Sequence, residues 1–308
     1  MGVATREAYG KVLKEELSQN PQVVVLDADL GQATKSMAFK SVCPERYFDM
    51  GIAEQDMMGT AAGLAACGKI PIASTFAMFA AGRAFEQVRN SIAYPKLNVK
   101  IAATHAGVTV GEDGGSHQAI EDISLMRSIP NMVVINPADA KEAEEAIKAA
   151  VQYYGPVYLR LGRAAVPDLH KSSYQFNWGK GEILQEGSDI GIIATGIMVG
   201  KALEAAEKLA EKGIHARVIN MHTIKPIDEA LIIETAKLTG ALVTAEEHSV
   251  IGGLGSAVAE VAAKHCPVLI GMVGVQDAFG CSGTPEELLT LYHLQSEDIV
   301  EAVYHLKK

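Results

Sequence analysis

Short runs of apolar and β-branched residues alternate with amphipathic stretches along the whole chain. Runs at residues 23–26, 70–74, 99–104, 132–136 and 157–161 show almost no polar alternation. Strands built from them must be covered on both faces. Between or before them, residues 5–20, 56–67, 79–93 and 140–152 have helical spacing. This alternation predicts an α/β fold with a parallel sheet between helical layers. The pattern stops between Gly162 and Gly181, a stretch that holds the only tryptophan, Trp178. A second α/β block follows, with strands at 190–194, 216–220, 242–246 and 267–273. Its helices are expected at 199–211, 228–239 and 255–265, with a capping helix over 296–308. The expected division is a first domain over 1–168, a linker over 169–180 and a second domain over 181–308.

Charge and cysteine content narrow the partners. Lys and Arg total 27 against 37 for Asp and Glu, a formal net charge of −10. Such an acidic chain lacks the electrostatic footprint for nucleic acid or for an anionic membrane. No stretch has the uncharged apolar length of a membrane helix, and the start of the chain lacks an apolar signal core. The cysteines Cys43, Cys67, Cys266 and Cys281 form no CxxC pair. That argues against a structural zinc site or a disulfide framework, and for a reduced, cytoplasmic location.

Four segments carry polar residues in patterns that suggest chemistry. The first, DMGIAEQD at 49–56, leads into a helix rich in Gly and Ala. A carboxyl group at the edge of such a tightly packed helix can be partly desolvated and donate a hydrogen bond, which points to Glu54. The plain alternative is a solvated glutamate favoured by the helix dipole. The second is STFAMFAAGRAFEQVR at 74–89. Phe76 and Phe79 share a face on a helical turn and can hold a flat heterocycle between them, or can simply be core.

The third segment, THAGVTVGEDGGSHQ at 104–118, follows a strand, where open α/β sheets gather their ligands. Its glycines permit close backbone approach. His105 and His117 can hydrogen-bond sugar hydroxyls or move protons near neutral pH. Metal binding is the rival, but no helical His spacing supports it. The fourth, YLRLGR at 158–163, ends in Arg163, which can clamp a phosphate or stand as a structural arginine. In the second block, Gly252-Gly-Leu-Gly255 reads as a tight turn rather than a dinucleotide loop. Glu246-Glu-His248 is expected to line a surface or subunit contact.

In this order and spacing, the four segments together resemble the transketolase family of thiamine diphosphate enzymes. The resemblance implies a pyrimidine-binding domain with a parallel sheet, followed by a transketolase C-terminal α/β domain. Glu54 matches the glutamate that hydrogen-bonds the cofactor's aminopyrimidine ring and so activates the thiazolium carbon. Phe79, with Phe76 near it, matches the aromatics that stack on the pyrimidine. Asp29 matches a carboxylate close to the thiazolium. His105 and His117 match histidines that hold the sugar donor or acceptor. Asp113 matches the carboxylate that reads the acceptor's α-hydroxyl. Arg6, Arg163 and Ser36 match the pocket for a sugar phosphate. Two departures stand out: Gly82 falls where many members carry another aromatic, and this segment has one residue more than in some members.

The chain contains no Gly-Asp-Gly, the motif through which the family holds magnesium and the diphosphate. The resemblance therefore implies the C-terminal subunit of a split transketolase. A separate N-terminal subunit would bring the magnesium–diphosphate half, in a two-plus-two heterotetramer with a homodimer contact. The reaction implied is transfer of a two-carbon ketol unit from a ketose phosphate to an aldose phosphate. The alternatives are the C-terminal part of a deoxyxylulose phosphate synthase, the small subunit of a 2-oxoacid dehydrogenase, or a non-catalytic scaffold of the same fold.

Overall fold

A computed structural model describes residues 2–307. Its strands are β1 (Val23–Asp27), β2 (Tyr47–Asp49), β3 (Ile70–Phe76), β4 (Lys100–Thr104), β5 (Val133–Ile135) and β6 (Val157–Arg160), then β7 (Glu182–Gln185), β8 (Ile190–Ala194), β9 (Ala216–Asn220), β10 (Thr223–Lys225), β11 (Ala241–Ser249) and β12 (Leu269–Val275). They form a seven-stranded sheet of order β10-β5-β6-β4-β3-β1-β2 and a five-stranded sheet of order β12-β11-β8-β9-β7. Every pairing is parallel except β10 with β5 and β7 with β9. Every residue of β1, β4, β6, β8 and β9 is buried, as strands covered on both faces must be.

The helices pack on these sheets through small residues. The helix Glu54–Ala66 buries Met57, Met58, Ala61, Ala62 and Ala65, so its backbone lies close to the sheet. The helix Ala140–Gln152 starts at Asp139, whose side chain accepts from the Glu142 N–H, and buries Ala143, Ala146, Ile147 and Ala150. The helix expected over 5–20 ends at Glu15 and tightens into a 3₁₀ turn, Leu17–Gln19. The helix expected over 79–93 is broken into wide π turns, Phe79–Arg83 and Val88–Ala93, around Phe85–Gln87. A π turn holds more residues than an α turn, so it accommodates the additional residue noted in this segment.

The segment 169–180 contains no helix or strand, yet it is firmly docked. Trp178 stacks on Tyr153 at 4.8 Å, and Phe176 and Trp178 pack on the core beneath the first sheet. His170 sits between Asp139 (3.0 Å) and Glu182 (2.9 Å). Burial works against its charge, but these hydrogen bonds and the Glu142 carboxylate lift its pKa to about 10, so it is an imidazolium at neutral pH. The two sheets also share backbone: Thr223 of β10 pairs with Ile135 of β5. The second half of the chain thus supplies the edge strand of the first sheet.

Glu246, Glu247 and His248 do not line a surface or a subunit contact, as the sequence suggested. All three are buried within the chain, along the seam between the sheets. Both Glu246 oxygens accept N–H groups at the start of the helix Leu254–His265, from Leu254 and Gly255 at 2.7 Å each. Burial nevertheless pushes this carboxyl up to about 7. A Cβ on Gly253 would collide with it. The Gly252–Gly255 turn therefore embraces a carboxylate of its own chain, in the position where a dinucleotide phosphate would otherwise sit.

On the first-sheet side of the same seam, Arg160 Nε donates to Asp122 at 2.9 Å, and Tyr158 Oη donates to the same oxygen at 2.8 Å. Arg160 also reaches the carbonyls of Ala119 (3.2 Å) and Glu247 (2.9 Å). Both charged side chains of the pair are buried. Substituting Asp122→Ala leaves Arg160 charged and buried without its partner. A loss of about 3–5 kcal/mol is expected, read from urea denaturation. A change below about 1 kcal/mol would show that the seam does not depend on this pair.

Candidate active site

The carboxyl ends of β3, β4 and β6 lie side by side, and residues that end or follow them form one cluster. Phe76 ends β3, His105 follows β4 and Arg163 lies just past β6. Arg6, at the start of the helix Thr5–Glu15, joins them. Its Nη1 lies 2.9 Å from His105 Nε2 and 3.0 Å from the Ala33 carbonyl. A guanidinium only donates, so Nε2 must accept and the proton sits on Nδ1, which faces Thr104 Oγ1 at 2.9 Å. One tautomer of His105 is thereby selected.

His105 adopts a left-handed backbone conformation, φ 57°, and its ring stacks on Phe76 at 3.8 Å. Burial, then the charges of Arg6, Arg163, His117 and Lys35, lower its pKa to about 3. The cluster is thus a cationic basin around a neutral imidazole. His117 presents its ring edge-on to Phe79 at 5.4 Å, and its Nδ1 lies 3.0 Å from Ser116 Oγ. Arg163 donates to the Val110 carbonyl and lies 3.4 Å from Glu112 and 3.8 Å from Asp113. Asp113 therefore sits beside Arg163 at the rim.

Glu54 opens the helix Glu54–Ala66, but its side chain is only 1% exposed. It accepts from Arg83 Nη1 at 2.7 Å, and the Arg83 guanidinium lies over the Phe79 ring at 4.5 Å. Phe76 and Phe79 are nearly parallel, 12° apart, with centroids at 5.9 Å. A third ring between them would need about 7 Å, two carbon–carbon contact distances, so the pair is a ledge rather than a sandwich. The open face of that ledge already carries a flat, nitrogen-rich group beside a buried carboxylate. The same two contacts suit a planar nitrogen heterocycle.

Two expected site residues lie apart from this cluster. Asp29 is exposed at φ 59°, and its side chain makes no hydrogen bond among the described residues. Ser36 is fully buried, donates to Asp27 Oδ2 at 2.7 Å and lies 3.3 Å from the Tyr47 hydroxyl, so in this structure its hydroxyl is turned to Asp27 and not to the cluster. Asp27 itself holds the corner together, accepting from Leu30 N, Thr34 Oγ1 and Ser36 Oγ at 2.7 Å each. Sequence reasoning passed over Asp27, Arg83 and Lys35. Only Arg83 had a signal: it stands four residues beyond Phe79, within side-chain reach on one helical face.

Away from the cluster, Glu142, His170 and Glu182 bring ligand-type atoms within 4.8 Å of one another. The Glu142 oxygens already accept from Ala138 N, Tyr174 Oη and Asn220 Nδ2. With His170 charged, this group reads as an internal ion knot that docks the linker. Among the described residues no helix is long and apolar enough to cross a membrane.

Neutral His105 gives a direct test. Its folded pKa lies below the ordinary 6.5, so its stabilising effect is complete above that value and declines as the pH falls toward 3. Its imidazole NMR resonances are expected to stay constant from about pH 5 to 8, where an ordinary histidine titrates. A midpoint near 6.5 would mean that the ring is neither desolvated nor surrounded by these cations.

The sequence matches the family model for the transketolase pyrimidine-binding domain over residues 1–168. It matches that for the transketolase C-terminal domain over residues 179–299. A Methanocaldococcus jannaschii protein, provisionally assigned as a transketolase C-terminal section, is 50% identical over 301 residues, covering 97% of this chain and 94% of that one. The 6-deoxy-6-sulfo-D-fructose transketolase subunit SqwH of Clostridium sp. (strain MSTE9) is 44% identical over 301 residues, covering 98% and 94%. A solved split-gene transketolase, an inactive beta4 tetramer, superposes with a TM-score of 0.91 at 56% identity, covering 99% of this chain and 98% of that one.

Proposed function

The chain belongs to the transketolase family, and from that membership we propose that it is the C-terminal subunit of a split transketolase that moves a two-carbon ketol unit from a ketose phosphate to an aldose phosphate. The observation that carries this reading is the buried Glu54 carboxylate set beside the Phe79 face, with the planar Arg83 guanidinium lying on both. That pairing fits the aminopyrimidine of thiamine diphosphate: a flat heterocycle that needs one aromatic face and one carboxyl partner. Arg83 gives up both contacts when the heterocycle takes them. Thiamine diphosphate, when bound, supplies the carbanion chemistry that breaks and remakes the carbon–carbon bond.

The chain's own residues divide the remaining work. Glu54 binds the pyrimidine ring nitrogen and sets its protonation. Phe79, backed by Phe76, supports the ring. Asp29, on its exposed turn, is assigned to the thiazolium side by the family resemblance alone. His105, held neutral and in one tautomer, and His117 orient sugar hydroxyls. Asp113 reads the α-hydroxyl of the acceptor. Arg6 and Arg163 neutralise the sugar's anionic end; a guanidinium suits a phosphate or a sulfonate alike. The name of the Clostridium relative makes sulfonated sugars a reasonable arm of any substrate panel.

Magnesium and the diphosphate fall to a separate N-terminal subunit in this reading. The assembly is two-plus-two, with a homodimer contact between copies of this chain. A cytoplasmic location is in keeping with the four free cysteines.

Two outcomes are expected. Glu54→Gln in the complex reconstituted with the N-terminal subunit lowers turnover by about a hundredfold, the range of one positioned proton-transfer group. Wild-type turnover from that variant would remove Glu54 from the mechanism. The purified chain alone, given thiamine diphosphate, magnesium, xylulose 5-phosphate and ribose 5-phosphate, shows no ketol transfer. Measurable transfer would refute the split assignment. Product formation from pyruvate instead of a ketose phosphate would indicate a deoxyxylulose phosphate synthase.

A further inference from the structure

We propose that Glu247, in the second half of the chain, is a positioning residue for the loop that carries His105, Asp113 and His117. The proposal rests on the ketol-transfer reading for its consequence, but its geometry does not. Glu247 lies near the end of β11, buried in the seam. Its Oε1 accepts the Thr109 N–H at 2.5 Å. Thr109 is the middle residue of the 3₁₀ turn Val108–Val110. Gly107, at φ 82°, lies against the same carboxyl group, and a Cβ there would overlap it. The loop thus rests its backbone directly on a carboxylate from the other half of the chain.

That contact fixes more than one residue. The Val110 carbonyl, at the end of the turn, accepts from Arg163. Arg163 in turn stands next to Glu112 and Asp113. Upstream, the Gly107 N–H donates to the Ala119 carbonyl at 2.9 Å, which closes the loop on itself just behind His105. Arg160 then ties the Ala119 and Glu247 carbonyls to one guanidinium. The turn that orients Arg163 and Asp113 is therefore gripped from both ends and the middle, and the middle grip is Glu247. A second strap runs beside it, from Gln118 Nε2 to the Cys281 carbonyl at 2.9 Å.

The alternative, that Glu247 merely stabilises the seam, predicts something different. Arg160 keeps its Asp122 partner whatever residue 247 is, because it bonds the Glu247 backbone carbonyl and not its side chain. Removing the carboxylate should therefore loosen the loop more than the seam. A glutamine of the same shape should still accept from Thr109 and rescue the loop.

The test compares full-length E247A, E247Q and G107A with the wild type. Amide hydrogen exchange is followed on the whole chain, and steady-state kinetics on the complex with the N-terminal subunit. In E247A the Thr109 amide is expected to exchange about tenfold faster, the loss of one buried hydrogen bond. E247Q should stay within about twofold of wild type on the same scale, and G107A should behave like E247A. The KM for ribose 5-phosphate should rise about tenfold in E247A while kcat changes less than about threefold, because the group removed touches no reacting atom. Unchanged exchange in E247A overturns the proposal. So does faster exchange with an unchanged KM, or a loss that E247Q does not rescue. An inactive wild-type complex is a failure of the ketol-transfer reading instead, and hydrogen exchange alone then decides whether Glu247 holds the loop.

Discussion

A single buried guanidinium connects the parts of this chain. Arg160 stands at the end of β6, almost fully covered, and donates to Asp122, Ala119 and Glu247. A buried arginine is tolerable only when its donors are met, and here a carboxylate and two carbonyls meet them. Those three acceptors come from the helix Asp122–Ser128, the loop after β4 and β11. The first sheet, the second sheet and the loop between them are thus referenced to one side chain. The candidate-site cluster lies next to that arrangement: His105 follows β4, which pairs with β6, and Arg163 lies just past the end of β6 itself.

The core strands were legible because burial on both faces leaves a continuous apolar run that no loop can afford. β8 and β9 fall where the sequence placed them, and β1, β3, β4, β5 and β6 within two residues at each end. β2, β7 and β10 were not foreseen. They have three or four residues each, too few to show a period, and two of them pair antiparallel at sheet edges. The helix over 79–93 has the right residues in the right place, but its π turns depend on how Phe79 and Arg83 pack, which periodicity does not encode.

The cluster was legible to the extent that its residues sit at strand ends. Glu54, Phe76, Phe79, His105 and Arg163 do, or follow within a few residues, while His117 comes later in the loop after β4; the structure gathers them. Ser36 and Glu246-Glu-His248 show the limit. A serine nine residues beyond Asp27 gives no sign that it folds back to bond that carboxylate. Three ionisable residues at the end of a strand read as a polar rim. They are instead interior, because each finds backbone N–H groups beyond its own strand: Leu254 and Gly255 for Glu246, and the far more distant Thr109 for Glu247 and Ile123 for His248. Long-range partners of this kind decide whether a polar residue faces water, and no local pattern records them.

β10 has a consequence for anyone who wishes to dissect the molecule. It belongs by sequence to the second half but completes the first sheet, hydrogen-bonded to β5. Cutting the chain within 169–180 would give a first fragment whose β5 offers a bare row of N–H and C=O groups. Such an edge recruits other chains, and the isolated fragment should self-associate rather than behave as a clean domain. The two halves are separable in name and in sequence pattern, but as folded matter they are stitched. A useful dissection would carry residues 223–225 along with the first sheet, by circular permutation rather than by truncation.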